Sequence, residues 1–165
     1  MLRTPLLALI ALAAAGLSAC GFTPLYGTPG VTNGLSAIAV VAPDGRAGFL
    51  VREQLDDALA HRANVPPTHR LLMTVKELRY ARGVRVDNVA NRYELNMTVD
   101  WRLVTIANGA EVHRGHTNAV VTYDSADQPY AAVAAQQDGQ ERAAAEIARK
   151  IQLDLAAWLA GKTPA

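Results

Sequence analysis

The residue best placed for chemistry is the one cysteine of the chain, Cys20, which ends a distinctive N-terminal segment. Arg3 supplies a positive start, Leu6 to Leu17 form an apolar run, and small residues lead into the cysteine. A positive start followed by a short apolar run is typical of a secretory signal peptide. Small residues directly before a cysteine form the lipobox, where processing enzymes acylate the thiol and cleave. We therefore expect residues 1–19 to be a lipoprotein signal peptide and Cys20 to be lipidated.

The predicted lipid would hold the protein at a membrane that the apolar run itself is too short to cross. A transmembrane helix needs about twenty apolar residues, and this run has about a dozen. Three acyl chains, at about 0.8 kcal/mol for each buried CH₂, bind far more firmly than one chain. Gly21 rather than Asp follows Cys20, which favours the outer membrane, so we expect a lipid-anchored protein facing the periplasm. The alternative is an ordinary signal peptide ending near a buried cysteine.

The other side chains that could bind a metal or transfer protons are four histidines: His61, His69, His113 and His116. His113 and His116 are three apart on a predicted strand, so their side chains point to opposite faces and cannot share a metal. A single cysteine allows no intrachain disulfide and no zinc site built on paired cysteines. No Gly-rich phosphate loop, nucleophile elbow or His-Glu-x-x-His helix is present. We predict no catalytic residues, no metal site and no cofactor beyond the N-acyl diacylglyceride on the cysteine.

A local excess of positive charge lies between the second and third predicted strands. Residues 79–92 hold one acid, Asp87, and four arginines: Arg79, Arg82, Arg85 and Arg92. Guanidinium groups match phosphate oxygens and stay charged at any working pH. These arginines either form a binding site or simply lie in water at the end of a hairpin. As a binding site, these arginines would take an anionic ligand, and on an outer-membrane lipoprotein the abundant phosphorylated ligand is lipopolysaccharide.

Residues 20–34 form a lipidated tether between the anchor and a single domain that we place at residues 35–162. Four Gly and two Pro in residues 21–34 argue against a regular element. Passive tethers lack large apolar groups, yet this one contains Phe22, Pro24, Leu25 and Tyr26. These side chains either fold back onto the domain, enter the lipid interface or dock on a partner, and we take them as candidate partner-binding residues.

The domain shows strand and helix patterns in the order β-α-β-β-β-α. A short apolar run at 36–42 predicts a strand, and helical spacing predicts a helix over 46–61. Three strands follow, and residues 92–103 alternate most clearly between apolar and polar. An Ala-rich helix is predicted over 128–160. The fold class is therefore α+β: a two-layer sandwich whose four-stranded mixed or antiparallel sheet is covered on one face by two helices.

Three local features are also predicted. Leu78 and Tyr80 continue the alternation of their strand one step out of phase, which indicates a bulge near Lys76-Glu77. Asn108-Gly109 is the dipeptide preferred in a two-residue type I′ hairpin turn. Gly139 is expected to bend or fray the last helix, because glycine costs about 1 kcal/mol relative to alanine there.

Composition excludes several classes of protein. The chain is 50% apolar and 19% charged, which suits a packed domain rather than a disordered one. Lys and Arg number 16 and Asp and Glu 15, and Arg3 is the one charged residue before the cysteine, so the mature chain has no net charge. It therefore has no basic field to attract nucleic acid.

The start of the mature chain resembles a known family. Cys20-Gly21-Phe22-Thr23-Pro24-Leu25-Tyr26-Gly27, directly after a lipobox, is similar to the start of the lipopolysaccharide-assembly lipoprotein LptE family, in the form found among alpha-class Gram-negative bacteria. The resemblance covers essentially the whole chain and is most specific in this run. Similar order and spacing recur in later segments: Tyr123-Asp124, Tyr130-Ala131, Gln137-Asp138, Glu141-Arg142 and Ala145 to Ala148.

The resemblance implies a small α/β sandwich that plugs and helps to assemble the outer-membrane β-barrel LptD. Together they would form the translocon that inserts lipopolysaccharide into the outer leaflet. A barrel lumen is lined by polar residues, which suits the polar side of the strand at 92–102. The family also binds lipopolysaccharide through basic residues, for which the four arginines above are our candidates. The alternative is an auxiliary lipoprotein of an ABC-type lipid-transport system, and no motif supports a hydrolase or a peptidoglycan-binding protein.

Replacing Cys20 by Ala tests the predicted anchor. The variant has no thiol to acylate, so we expect a soluble or mislocalised precursor. Envelope fractionation and immunoblotting measure where the protein accumulates. Normal outer-membrane fractionation of Cys20→Ala would contradict the anchor.

Overall fold

A computed structural model describes residues 30–61, 65–84, 90–125 and 127–161. Cys20, the four tether residues predicted to dock and Arg85 lie outside these ranges. The described chain forms the following elements in order: α1 (Val31–Ser36), β1 (Ile38–Val41), α2 (Arg46–Ala58), β2 (His69–Val84), β3 (Ala90–Thr105), β4 (Glu111–Asp124) and α3 (Pro129–Leu159). Within this part of the chain, no helix is both long and apolar enough to cross a bilayer.

The four strands form one mixed sheet in the order β1-β2-β3-β4. β1 pairs in parallel with β2, and the two later pairs are antiparallel. The helices pack on one side of this sheet, which confirms the predicted α+β class. We call that side the covered face and the opposite side the open face.

Strict alternation along β3 separates the two faces. Leu95, Met97, Val99 and Leu103 are fully buried on the covered face. They meet a stripe of α3 residues that is equally buried: Ile147, Ile151 and Leu155. Because successive strand residues point to opposite sides, this burial leaves the polar residues between them on the open face.

Gln140 is a buried polar side chain that joins three elements on the covered face. Its Nε2 donates to both carboxylate oxygens of Glu77 on β2, at 2.9 and 3.0 Å. Its Oε1 accepts from Nε of Arg46, at the start of α2, at 3.0 Å. Since an unpaired buried amide would cost free energy, these bonds hold α2, α3 and β2 in one relative position.

Polar side chains of α3 also reach the edge of the sheet. β4 is the last strand of the sheet, with no neighbour beyond it among the described residues. Lys150 Nζ donates to the backbone carbonyl of Asn118 at 2.7 Å, and Arg142 donates to that of Thr122 at 3.4 Å. The helix is therefore tied to β4 by these bonds as well as by apolar packing.

The start of the domain differs from prediction. Val31–Ser36 is helical, although residues up to 34 were expected to be irregular, and β1 is shorter than the predicted strand at 36–42. Val31 and Leu35 lie one helical turn apart and are both buried. Burial of this apolar pair stabilises a six-residue helix that would not form alone.

The bulge predicted near Lys76-Glu77 is wrong. Pairing of β2 with β3 is continuous there, and the irregularity lies between Ala81 and Val84. Leu78 and Tyr80 break the hydrophobic phase because they lie on the open face, where they are 57% and 44% exposed. An exposed apolar residue changes the alternation of apolar and polar residues in the same way as a bulge would.

The predicted type I′ turn is also wrong. β3 ends at Thr105 and β4 begins at Glu111, so the connection is five residues long and holds Asn108-Gly109. Of that dipeptide, only Gly109 has a positive φ, at 69°. A type I′ turn needs positive φ at both central residues. The longer connection, with an irregularity between Leu103 and Val104, sets the β3–β4 register.

Gly139 does not interrupt α3, which is one helix of 31 residues. The glycine is buried, and a Cβ at this position would lie 3.0 Å from Cδ1 of Tyr123. Tyr123 in turn stacks on Tyr93, with ring centroids 5.6 Å apart. Glycine therefore permits α3 to approach the aromatic side chains of β3 and β4 closely.

Gly115 fills a similar role beneath Trp101, its direct partner across β3 and β4. A Cβ on Gly115 would lie 2.7 Å from Cε2 of the indole ring. Trp101 cannot easily move, because Nε1 donates to Thr117 Oγ1 at 3.2 Å and the ring contacts His113 edge-on, with centroids 5.3 Å apart.

We expect Gly115→Ala to lower the free energy of unfolding by about 1–3 kcal/mol, the usual cost of overpacking a core. Urea unfolding measures the change. Gly109→Asn is the control, because Gly109 has open space around it and Asn tolerates a left-handed conformation. Equal stability of the two variants would show that Trp101 relaxes without cost.

Candidate functional site

The open face is the surface of the sheet that no described element covers. Strand pairing arranges its side chains in rows that run across β2, β3 and β4. We call the end near the β3–β4 connection the turn end, and the end near Tyr80, Arg82 and Arg92 the tip. Both charge signs are present along the face, together with the exposed apolar residues Leu78 and Val120 near its middle.

The four candidate arginines do not form one cluster. Arg79 lies on the covered side, where it donates to Gln136 Oε1 of α3 at 2.7 Å and stands 4.9 Å over the ring of Tyr93. Arg82 and Arg92 reach the open face at the tip, where Arg92 is paired with Gly83 across the strands. Arg85 is outside the described residues.

Arg82 is already engaged by a carboxylate. Its Nε and terminal nitrogen donate to the two oxygens of Glu94, at 3.1 and 2.7 Å. These bonds raise the pKa of Arg82 and lower the pKa of Glu94. Arg82 also stacks 5.6 Å from the ring of Tyr80. An incoming anion would have to compete with Glu94 for this guanidinium.

Arg92 is engaged in the same way. Its Nε donates to Asp124 Oδ1 at 2.8 Å, and the hydrogen bond lowers the pKa of that carboxyl. Both side chains are more than half exposed, so water and salt weaken the pair. The excess charge seen along the sequence at 79–92 is therefore partly balanced in space by acids from β3 and β4.

The turn end carries basic residues that sequence reasoning did not select. Arg102 lies directly opposite Arg114, and Arg70 is on the same face of β2. A groove of about 680 Å³ opens here, lined by residues that include Leu72, Arg102, Arg114 and His116. Arg102 and Arg114 are separated by twelve positions in the chain, and only the β3–β4 register brings them together.

His113 and His116 lie on opposite faces, as predicted, whereas His69 and His113 both contact the ring of Trp158. On the covered face, His113 Nε2 lies 2.9 Å from Asp154 Oδ1 of α3. On the open face, His116 Nδ1 lies 2.7 Å from Asp100 Oδ1, and this bond lowers the pKa of Asp100. Within the described ranges, no three His, Cys, Asp or Glu side chains are grouped so that they could hold a metal ion.

Comparison with models of known families identifies the family of this domain. The family model described as LptE, lipopolysaccharide-assembly, matches residues 35–155, which is most of the chain. The chain belongs to the LptE family. It is therefore a lipopolysaccharide-assembly lipoprotein, and the predicted resemblance to this family is confirmed over residues 35–155.

Solved structures of other lipoproteins share this fold. A lipoprotein from Caulobacter crescentus CB15 is 70% identical, with a TM-score of 0.72 over 82% of this chain and 99% of that one. A minor lipoprotein from Acinetobacter baumannii shares the fold at 15% identity, with a TM-score of 0.56 over 73% of this chain and 91% of that one. Lipoprotein B from Nitrosomonas europaea does so at 14% identity, with a TM-score of 0.54 and coverage of 73% and 82%. No curated protein matches the sequence.

The ion pairs at the tip predict a loss of stability in acid. Because Arg82 lowers the pKa of Glu94 below its usual 4.5, the pair stabilises the fold above about pH 4.5 and loses this effect as the pH falls through the lowered value. We expect Glu94→Gln to be less stable than the wild type at pH 7, with the difference shrinking toward pH 3. Urea unfolding across this range measures it, and a difference independent of pH would contradict the assignment.

Proposed function

We propose that the protein is a non-enzymatic plug and assembly subunit of the LptD β-barrel, anchored in the outer membrane through lipidated Cys20. It faces the periplasm and takes no cofactor beyond its lipid. Together the two proteins would form the translocon that inserts lipopolysaccharide into the outer leaflet. Membership of the LptE family supports the role in lipopolysaccharide assembly, and the uncovered open face is the observation that favours a plug.

The open face has the composition that a barrel interior requires. The lumen of an outer-membrane barrel is polar, and the centre of the face offers Asn96, Thr98 and Asn118 from adjacent strands. Wet interfaces tolerate polar side chains with bridging waters. Leu78 and Val120, which flank Asn96, add apolar contact area. This mixture suits a close fit against polar strands better than insertion into lipid.

Contact with lipopolysaccharide is proposed for Arg82 and Arg92 at the tip, for Arg79 on the covered side, and for Arg85, which lies outside the described residues. The fork that Arg82 offers to Glu94 is the geometry that also binds phosphate. A phosphate could therefore displace Glu94 without any rearrangement of the guanidinium. Phe22, Pro24, Leu25 and Tyr26 would contact the barrel or the lipid as the chain leaves the membrane.

A pull-down tests the partnership. Tagged, lipidated protein is captured from outer membranes in mild detergent, and its partners are identified by mass spectrometry. We expect a single large β-barrel at a ratio of about one to one that changes mobility on heating, as closed hydrogen-bonded barrels do. Recovery of an inner-membrane ATPase system instead would contradict the plug function and favour an auxiliary role in ABC-type lipid transport.

A bulky residue on the open face should reduce that capture. Asn96→Trp places a large side chain at the centre of the face, where it hinders a close fit and leaves the core unchanged. Glu53→Trp, at an exposed position of α2, is the matched control. We expect less barrel recovered with Asn96→Trp alone. Equal recovery with both variants would show that the open face does not meet the barrel.

Charge reversal tests the arginines. We expect Arg82→Glu to weaken lipopolysaccharide binding about tenfold at low salt, the effect of losing one charge-assisted hydrogen bond, with a smaller effect at high salt. Arg149→Glu makes the same charge change at an exposed position of α3 and is the control. If the two variants bind lipopolysaccharide equally, Arg82 does not contact it and serves only in the ion pair with Glu94.

A further inference from the structure

One row of the open face crosses all four strands near the turn end. Strand pairing places Val41 of β1 beside Leu72 of β2, Leu72 beside Arg102 of β3, and Arg102 beside Arg114 of β4. The row is apolar on β1 and β2 and positively charged on β3 and β4. We call it the amphiphilic row.

The two arginines of this row are like charges placed directly opposite each other. Such pairs destabilise a sheet, because the side chains start about 5 Å apart. Among the described residues, no hydrogen bond or ion pair reaches the side chain of Arg102. The closest acid to Arg114 is Glu111, at 3.8 Å, and the Arg114 side chain is 81% exposed. Neither arginine has a close carboxylate like those that hold Arg82 and Arg92.

The groove holds two acids, Asp100 and Glu111, and further positive charge lies beside it. Arg70 is the next residue on this face of β2, opposite Val104, and no described group bonds to its side chain. Asp100 occupies the neighbouring row, but it is bonded to His116 at 2.7 Å. An anion entering between Arg102 and Arg114 would therefore meet basic side chains that have no strong internal partner.

The apolar half of the row is exposed enough to receive hydrocarbon. Val41 is 45% exposed, and Leu72 is half-buried at the wall of the groove. The groove volume of about 680 Å³ is within the range of roughly 300–1,000 Å³ that is usual for small-ligand sites. Charge and apolar surface thus lie side by side in a space of suitable size.

We propose that the amphiphilic row binds a phosphorylated amphiphile. The phosphoryl oxygens accept hydrogen bonds from Arg102 and Arg114, which relieves their repulsion, and the adjoining hydrocarbon packs on Leu72 and Val41. Both a glycerophospholipid and lipopolysaccharide carry this chemistry. This site adds a second lipid-binding position to the proposed function. It depends on that function only for the claim that the natural ligand is lipopolysaccharide.

This site is separate from the arginines at the tip. Arg92 and Arg102 are ten residues apart on β3, which corresponds to about 33 Å along a strand. A single phosphate therefore cannot reach both places, and substitutions at one end test that end alone.

Titration calorimetry on the lipidated protein in nonionic detergent tests the proposal. The probes are short-chain phosphatidic acid, short-chain phosphatidylcholine and purified lipopolysaccharide. We expect phosphatidic acid to bind more tightly than phosphatidylcholine, and Arg102→Gln and Arg114→Gln each to weaken its binding about tenfold, as for one charge-assisted hydrogen bond. Arg149→Gln on α3 is the control and should bind like the wild type.

Thermal unfolding of the same variants separates binding from folding. Because Arg102→Gln removes a repulsion, we expect a melting temperature equal to or above that of the wild type. The proposal is overturned if the wild type binds phosphatidylcholine as tightly as phosphatidic acid, if it binds neither phosphatidic acid nor lipopolysaccharide, or if both Gln variants bind like Arg149→Gln.

Two further outcomes identify the source of the phosphate. Arg102-dependent binding of lipopolysaccharide without phosphatidic acid would assign the site to lipopolysaccharide, and binding of both would assign it to the shared phosphoryl chemistry. Barrel capture is measured on the same preparations. Loss of barrel partnership with retained Arg102-dependent binding would overturn the plug function and leave this site intact.

Discussion

Burial of one sheet face under α3 is the constraint on which the other features depend. Ile147, Ile151 and Leu155 meet the apolar side of β3, and this contact decides which residues of every strand point inward. Because side chains alternate along a strand, the same contact decides which residues remain on the open face. Gln140 fixes the helices over that core through Glu77 and Arg46. Any surface that the protein presents to a partner is thus a consequence of how its covered face packs.

The alternation of β3 was sufficient to predict that the sheet buries one face, and the apolar stripe of Ile147, Ile151 and Leu155 was sufficient to predict the long helix. Predictions of local features were wrong where a single residue produced the pattern expected of a different structure. Leu78 is apolar and exposed, so it resembles a bulge, and Gly139 resembles a break although Tyr123 occupies the space beside it. These cases depend on contacts between residues far apart in the chain, which periodicity does not contain.

The β3–β4 connection shows how a turn can mislead about a surface. A two-residue turn at Asn108-Gly109 would pair residues of opposite parity, so the buried side of β3 would meet the exposed side of β4. The alternation of both strands already excludes that register. The observed connection pairs Arg102 with Arg114, a juxtaposition that becomes visible only when the register is known. The arginines at 79–92 were recognised because they are close in sequence, yet Arg79 lies on one face of the sheet and Arg82 and Arg92 on the other.

The bonds from α3 to β4 bear on how this protein could share an envelope with β-rich partners. An open edge strand invites other strands to pair with it, and natural proteins protect such edges with charged side chains. Lys150 and Arg142 occupy carbonyls of Asn118 and Thr122 that an approaching strand would need. A neighbouring chain would find those positions already filled. A strand that approached β4 at these two positions would therefore meet side chains of α3 rather than free backbone carbonyls.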